Sequence, residues 1–139
     1  MSDYTGADIS TLVSAAINAS QRAYAPYSQY VVGAALLTHT GAIYQGCNVE
    51  SAAYPAGICA ERTALVKAVS EGERHFATLA VVTRDGGSPC GVCRQMLYEF
   101  APDLRVLIAD LDGHIHHDLS LRELLPLGFG PANLNGATR

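Results

Sequence analysis

Gly57-Ile58-Cys59-Ala60-Glu61-Arg62 and Ser88-Pro89-Cys90-Gly91-Val92-Cys93-Arg94 open and close the stretch whose reading decides how this chain folds. Cys59 begins an apolar-periodic run to about Ser70, with Leu65, Val66 and Val69 on one side and Gly72 suited to its C-terminal end, so a helix is expected there. Ala77 to Thr83 is short and almost wholly apolar, the pattern of a strand at the centre of a sheet. Ser88 then serves as an N-cap with Pro89 as first helical residue, which puts Cys90 in the first turn of another helix ending near Phe100. The stretch reads helix, strand, helix, with cysteines at the start of both helices. Three thiolates so placed give a metal such as zinc three soft ligands and leave a fourth position open.

The flanks extend this alternation. Asp8 or Ser10 can cap a first helix running to about Tyr24, where Ile9, Leu12, Val13, Ala16 and Ile17 form one apolar face before Pro26 stops it. Val31 to Thr38 is apolar on both faces, and His39-Thr40-Gly41 turns it into an antiparallel return over Ala42 to Asn48. Val49 to Ile58 has no period and reads as a loop, as does Arg84-Asp85-Gly86-Gly87. Arg105 to Ala109 is a further strand, and Asp112-Gly113 turns it into Ile115 to Asp118. Ser120 and Glu123 have capping-box spacing for a short helix through Leu125. The expectation is an α/β fold: a three-layer α-β-α sandwich around a mixed five-stranded sheet. One domain is expected over residues 1–139, with the tail after about 132 loosely ordered.

Composition narrows the function classes. A chain of 139 residues suits one core, and 49% hydrophobic with 16% charged residues suits a compact protein that also buries surface against copies or partners. The net charge of −4, with nine basic residues spread along the chain, argues against a nucleic-acid surface. A small neutral substrate fits better. The polar, acidic Met1-Ser2-Asp3-Tyr4 is no signal peptide, and no apolar run approaches the ~20 residues of a membrane span. Four cysteines without a secretion signal point to reduced thiols and a cytoplasmic location.

Cys90 and Cys93, three apart on one helix, present their side chains on the same face. Helix N-termini favour thiolate over thiol, and Cys59 gains the same help. Arg62 and Arg94 each follow a cluster closely enough to donate to a ligand sulfur. Glu61, two residues beyond Cys59, has the type and position of a proton shuttle beside a metal-acidified water. Cys-x-x-Cys alone is more often a structural or redox element, and Cys47 makes a four-cysteine structural site conceivable. Against that site, Cys47 ends a strand, lacks a paired cysteine and precedes the polar Asn48 and Glu50. His39, His75, His114, His116 and His117 lack ligand spacing to the cysteines. Tyr24, Tyr27, Tyr30 and Tyr54 are placed near the expected pocket, although each singly reads as packing.

Taken together, these motifs resemble the small, zinc-dependent, homotetrameric cytidine deaminases over about Ala23 to Pro131. The resemblance rests on Ala25-Pro26-Tyr27-Ser28, Val32-Gly33-Ala34-Ala35-Leu36, Gly46-Cys47-Asn48-Val49-Glu50, Cys59-Ala60-Glu61-Arg62-Thr63, Pro89-Cys90-Gly91-Val92-Cys93-Arg94-Gln95 and Glu123-Leu124-Leu125-Pro126. It implies that Cys59, Cys90 and Cys93 bind one Zn²⁺ per chain and that Glu61 is the general acid/base. It further implies that Asn48 and Glu50 hold the ribose hydroxyls, that the Ala60 N–H and Glu61 read the base, and that Arg62 donates to the thiolates. Phe129 matches a tail aromatic that closes over a neighbouring subunit's site, and Ala52 and Tyr54 match neighbour contacts. One position departs from the pattern: Tyr30 stands where the family usually has Phe, and a buried phenol hydroxyl needs a partner.

The implied activity is hydrolytic deamination of cytidine and 2′-deoxycytidine, by zinc-generated hydroxide attacking C4 of the base, in pyrimidine salvage. A blasticidin S deaminase shares the Cys-Ala-Glu and Pro-Cys-x-x-Cys elements, but Asn48, Glu50 and Arg62 suit a free ribose. A polynucleotide-editing enzyme would show a basic groove. A zinc module that only holds the fold would leave Glu61 without chemistry.

Overall fold

The computed structural model describes residues 6–135. Its elements are α1 (Gly6–Ser20), β1 (Gly33–Thr38), β2 (Ile43–Cys47), a 3₁₀ turn (Tyr54–Ala56), α2 (Ala60–Ser70), β3 (Phe76–Thr83), α3 (Gly91–Phe100), β4 (Arg105–Asp110), β5 (Ile115–Ser120), α4 (Leu121–Leu124) and α5 (Pro131–Asn135). The five strands form one sheet in the order β2-β1-β3-β4-β5. β3 and β4 are parallel, joined through α3, while the other neighbours pair antiparallel. The sheet is therefore mixed, with the apolar β3 at its centre.

Both faces of the sheet are covered, giving the three layers expected. On one side Leu12, Val13 and Ala16 of α1 pack on Ala35, Leu37, Ala80, Val82 and Leu107. On the other, Ala60, Ala64, Leu65 and Ala68 of α2 and Leu97 of α3 meet Leu36, Leu79, Val81, Val106 and Ile108. Alternate residues of β1, β3 and β4 thus enter opposite cores, which explains why these strands read as continuous apolar runs.

Several boundaries shift from the sequence reading. α1 already begins at Gly6, so Asp8 lies in its first turn, and it ends at Ser20, well before Pro26. There the Ser20 hydroxyl bonds the Ile17 carbonyl, and Gln21, Arg22 and Ala23 make tighter i→i−3 bonds. Tyr24 then bridges Val49, which makes the chain leave the helix. In α2 Leu65 is buried and Val69 packs on the core as expected, but Val66 is exposed and Ala60, Ala64 and Ala68 make up the rest of the buried face. The helix lies so close to β2 that a Cβ on Gly46 would fall on the backbone of Ala60 and Ala64. A Val on that face would hold the helix off. Ser120 caps α4 in a full capping box with Glu123. The tail carries the short α5 to Asn135, and its last four residues lie outside those described. Among the described residues no helix is long and apolar enough to cross a membrane.

Candidate active site

The N-termini of α2 and α3 bring the cysteines together. Cys59 and Cys90 are the N-cap residues of these helices, both with extended backbone, and α3 starts at Gly91 instead of Pro89. The reason is visible in the first intrahelical bond, from Arg94 N–H to the Cys90 carbonyl at 3.0 Å. Cys93 falls one turn into α3. Neither N-cap thiol caps its own helix. They turn to each other instead: the Cys59 and Cys90 sulfurs are 3.8 Å apart, and those of Cys90 and Cys93 3.6 Å.

Those spacings test whether the trio fits an ion. Tetrahedral zinc with Zn–S of about 2.3 Å puts neighbouring sulfurs about 3.8 Å apart. All three ligand atoms lie within 4.8 Å of one another, so the donor set fits one ion with a fourth position to spare. Cys47 does not join them; its thiol donates to the Arg22 carbonyl at 3.4 Å, which removes the four-cysteine alternative.

The surroundings are matched to thiolate charge. Arg62 Nη2 lies 3.6 Å from the Cys59 sulfur, and its buried Nε has no hydrogen-bond partner, so the guanidinium is aimed at sulfur. A hydrogen bond from Cys93 holds the Cys59 pKa down to about 5 against its partial burial, with Arg62 adding to the effect. Donating that bond, together with burial, pushes the Cys93 thiol up. Arg94 does not approach sulfur. It donates to the carbonyls of Pro89 and Leu124 and to the Ser88 hydroxyl, and so pins the start of α3 to α4.

Glu61 is 4% exposed and lines the same cavity as Cys59 and Cys90. Burial raises its pKa to about 7, with the neighbouring Cys59 charge adding to the rise and Arg62 opposing it. A carboxyl poised near neutrality can both take and return a proton. Among its charged neighbours at the cavity wall are Glu50 and Arg62, and the cavity of about 760 Å³ is large enough for a nucleoside-sized molecule.

Opposite the cysteines, Asn48 and Glu50 lie on the chain leaving β2. Asn48 accepts from the Val32 N–H at 2.9 Å and donates to the Tyr30 carbonyl at 2.8 Å, leaving one N–H for a ligand. Glu50 accepts from the backbone N–H groups of Tyr27 and Ser28 and from the Ser28 hydroxyl. The Ser28 hydroxyl, then the backbone bonds, lower its pKa. Tyr27, Tyr30 and Tyr54 line the cavity, the first and last with rings 5.9 Å apart, edge to face. Tyr24 is exposed away from it. Ala60 is wholly buried at the start of α2, whereas Ala52 is exposed on a bend outside the lining. Phe129 is 55% exposed and also lies outside the lining, its carbonyl accepting from Gln95 Nε2 at 2.7 Å. The sequence reading gave no role to Ser28, Thr83, Asp85 or Gly87. Thr83 closes β3 and the other three lie in loops without period, so only the pairing of segments distant in sequence marks them.

Residues 7–109 match the family model described as the cytidine and deoxycytidylate deaminase zinc-binding region. The cytidine deaminase of Sporosarcina psychrophila is 45% identical over 133 residues, covering 94% of this chain and 97% of that protein. That of Halalkalibacterium halodurans is 44% identical, covering 92% and 98%. The crystal structure of cytidine deaminase from Burkholderia pseudomallei superposes with a TM-score of 0.83 at 44% identity, over 91% of this chain and all of that one. A cysteine trio spaced for one ion, a buried carboxyl beside it and this match across both cysteine clusters lead to one assignment: the chain belongs to the zinc-binding cytidine and deoxycytidylate deaminase family.

Proposed function

We propose that the protein hydrolyses cytidine and 2′-deoxycytidine to uridine and 2′-deoxyuridine with release of ammonia, as a step of pyrimidine salvage in the cytoplasm. The observation that carries this reading is the buried Glu61 in the same cavity as Cys59 and Cys90 of the cysteine trio. Cys59, Cys90 and Cys93 would hold the zinc ion, which would supply a water of lowered pKa near neutral pH. Glu61 takes the proton released by that water and delivers it to N3 of the base as the oxygen adds at C4. It would then take the remaining proton of the added oxygen and hand it to the 4-amino group, so the C4–N bond breaks with release of ammonia and the C4 oxygen becomes the uracil carbonyl. The Ala60 N–H at the head of α2 and Glu61 orient the base, and Asn48 and Glu50 take the ribose hydroxyls. Arg62, turned to the Cys59 sulfur, would temper the thiolate charge around a bound ion.

The cavity wall favours a nucleoside over its 5′-phosphate. Among the described residues lining it, Arg62 is the only Arg or Lys, and it is turned to sulfur, while Glu50 and Glu61 are acidic. We further infer a homotetramer with shared sites, each completed by Phe129 of a neighbouring copy, with Ala52 and the cavity-lining Tyr54 in contact with neighbours. The exposure of Tyr54, Val92, Met96, Leu127, Phe129 and Leu134 supports that reading.

An ultraviolet assay of zinc-analysed protein with cytidine, deoxycytidine, deoxycytidylate, cytosine and blasticidin S tests the substrate class. Loss of the cytidine band is expected for the two nucleosides. Glu61→Gln is expected to keep fold and zinc and to lower kcat by about 10²–10⁴-fold. An active Gln variant would sink the mechanism, and a zinc-loaded wild type inert on all five compounds would reduce the metal to a fold-holding role.

A further inference from the structure

The Tyr30 ring forms part of the cavity wall, and its hydroxyl is tied to a loop far away in sequence. Tyr30 Oη donates to Asp85 Oδ1 at 2.6 Å. The same carboxylate oxygen accepts from Thr83 Oγ1 at 3.3 Å, and Thr83 Oγ1 accepts from the Gly87 N–H at 2.7 Å. A Cβ on Gly87 would lie 2.5 Å from Tyr30 Oη, so the missing side chain makes room for the phenol. The Arg84 guanidinium sits 4.8 Å from the ring centroid. At its backbone, Tyr30 donates to Ser28 Oγ at 3.0 Å and accepts from Asn48 Nδ2 at 2.8 Å. Ser28 in turn holds Glu50.

The phenol therefore joins two walls of one cavity. On one side are Ser28, Asn48 and Glu50; on the other is the loop from Arg84 to Ser88 that leads into Cys90. Asp85 does not itself line the cavity, whereas Tyr30, Gly87 and Ser88 do. Any effect of Asp85 on a bound ligand must then pass through Tyr30 or through this loop. A hydrogen bond to an ionised carboxylate is among the stronger kinds, and here it fixes the ring torsion that a phenyl group would leave to packing alone.

We propose that Asp85 is a positioning residue: through the Tyr30 hydroxyl it sets the aromatic wall against which the substrate lies and registers that wall to the loop preceding Cys90. The role rests on the nucleoside reading above. It predicts an effect on binding, because Asp85 has no access to the reacting atoms.

The test is a double-mutant cycle of Asp85→Ala and Tyr30→Phe, with Asp85→Asn as the conservative variant and zinc content measured throughout. Asp85→Ala is expected to raise KM for cytidine about three- to tenfold with little change in kcat. Asp85→Asn, which keeps an acceptor oxygen, should recover most of the loss. In the Tyr30→Phe background Asp85→Ala should add nothing further. An unchanged KM overturns the proposal, as does an equal cost in both backgrounds. Loss of zinc and kcat at constant KM also overturns it, since Asp85 would then support Cys90 alone. A second arm needs no turnover. With ¹³C-labelled tyrosine, the ring resonance assigned by Tyr30→Phe should titrate at lower pH in Asp85→Ala, and an unmoved titration removes the bond itself. Wild-type protein inert on cytidine, with Tyr30 titrating as expected, would fail the functional reading and leave the bond standing.

Discussion

Glu61 and Arg62 are neighbours in sequence with opposite tasks, set by burial at Glu61 and by the neighbouring sulfurs at Arg62. Glu61 has almost no contact with solvent, so its charged form is disfavoured and its pKa rises from 4.5 to about 7. The raised pKa has a cost that zinc-free protein should reveal. A carboxyl with a folded pKa above its unfolded one stabilises fully below about 4.5, and that contribution is lost as pH rises through about 7. Chelated wild type should therefore lose on the order of 3 kcal/mol relative to chelated Glu61→Gln between those limits. Urea unfolding at several pH values reads the difference. A pH-independent gap would mean that Glu61 is not buried as described. Arg62 is only partly buried. Burial opposes its charge, but hydrogen bonds to Cys93 and Cys59 hold its pKa up.

At the scale of elements, the site depends on how closely α2 can approach the sheet. Ala60, Ala64 and Ala68 form its contact face, and Gly46 of β2 lets the backbone of the helix pass at a distance no side chain allows. Cys59 and Glu61 ride on the first turn of that helix, so its depth sets their position relative to Cys90 and Cys93. Gly46→Ala should destabilise the fold by about 1–3 kcal/mol through overpacking. It should also lower turnover more than a lost fraction of folded protein explains. Denaturant melts and kcat measured on the same preparation separate the two, and a fully stable, fully active variant would contradict the packing described. The exposed Val66 belongs to the same account. Of the expected stripe Leu65 is fully buried and Val69 packs on the core, while Val66 is exposed and alanines take the rest of the face.

For the whole molecule, the question is what one chain leaves unfinished. Phe129 stands 55% exposed on a Gly/Pro segment, away from the cavity of its own chain. In the proposed tetramer it closes another copy's site. Phe129→Ala should then raise KM for cytidine about tenfold or more while leaving zinc content unchanged, the loss expected for truncating a buried aromatic anchor. Light scattering on the wild type provides the companion measurement. A stable, fully active monomer would refute shared sites, and an unaffected Phe129→Ala would remove this residue from them.

Much of this protein was legible from local sequence. The trio Cys59, Cys90 and Cys93, the carboxyl at Glu61, the Ser120–Glu123 cap and the five strands in order all follow from spacing, period and capping chemistry, which act within a few residues. Tertiary structure decided the rest. It assigned sulfur to Arg62 and backbone carbonyls to Arg94, although Arg94 stands nearer to a cysteine in sequence than Arg62 does. It drew Cys47 away to the Arg22 carbonyl and ended α1 where Tyr24 finds Val49. It also joined Tyr30 to Asp85 across 55 positions. Such contacts between loops leave no periodic trace, because they depend on where the packed sheet delivers each loop and not on the residues beside it.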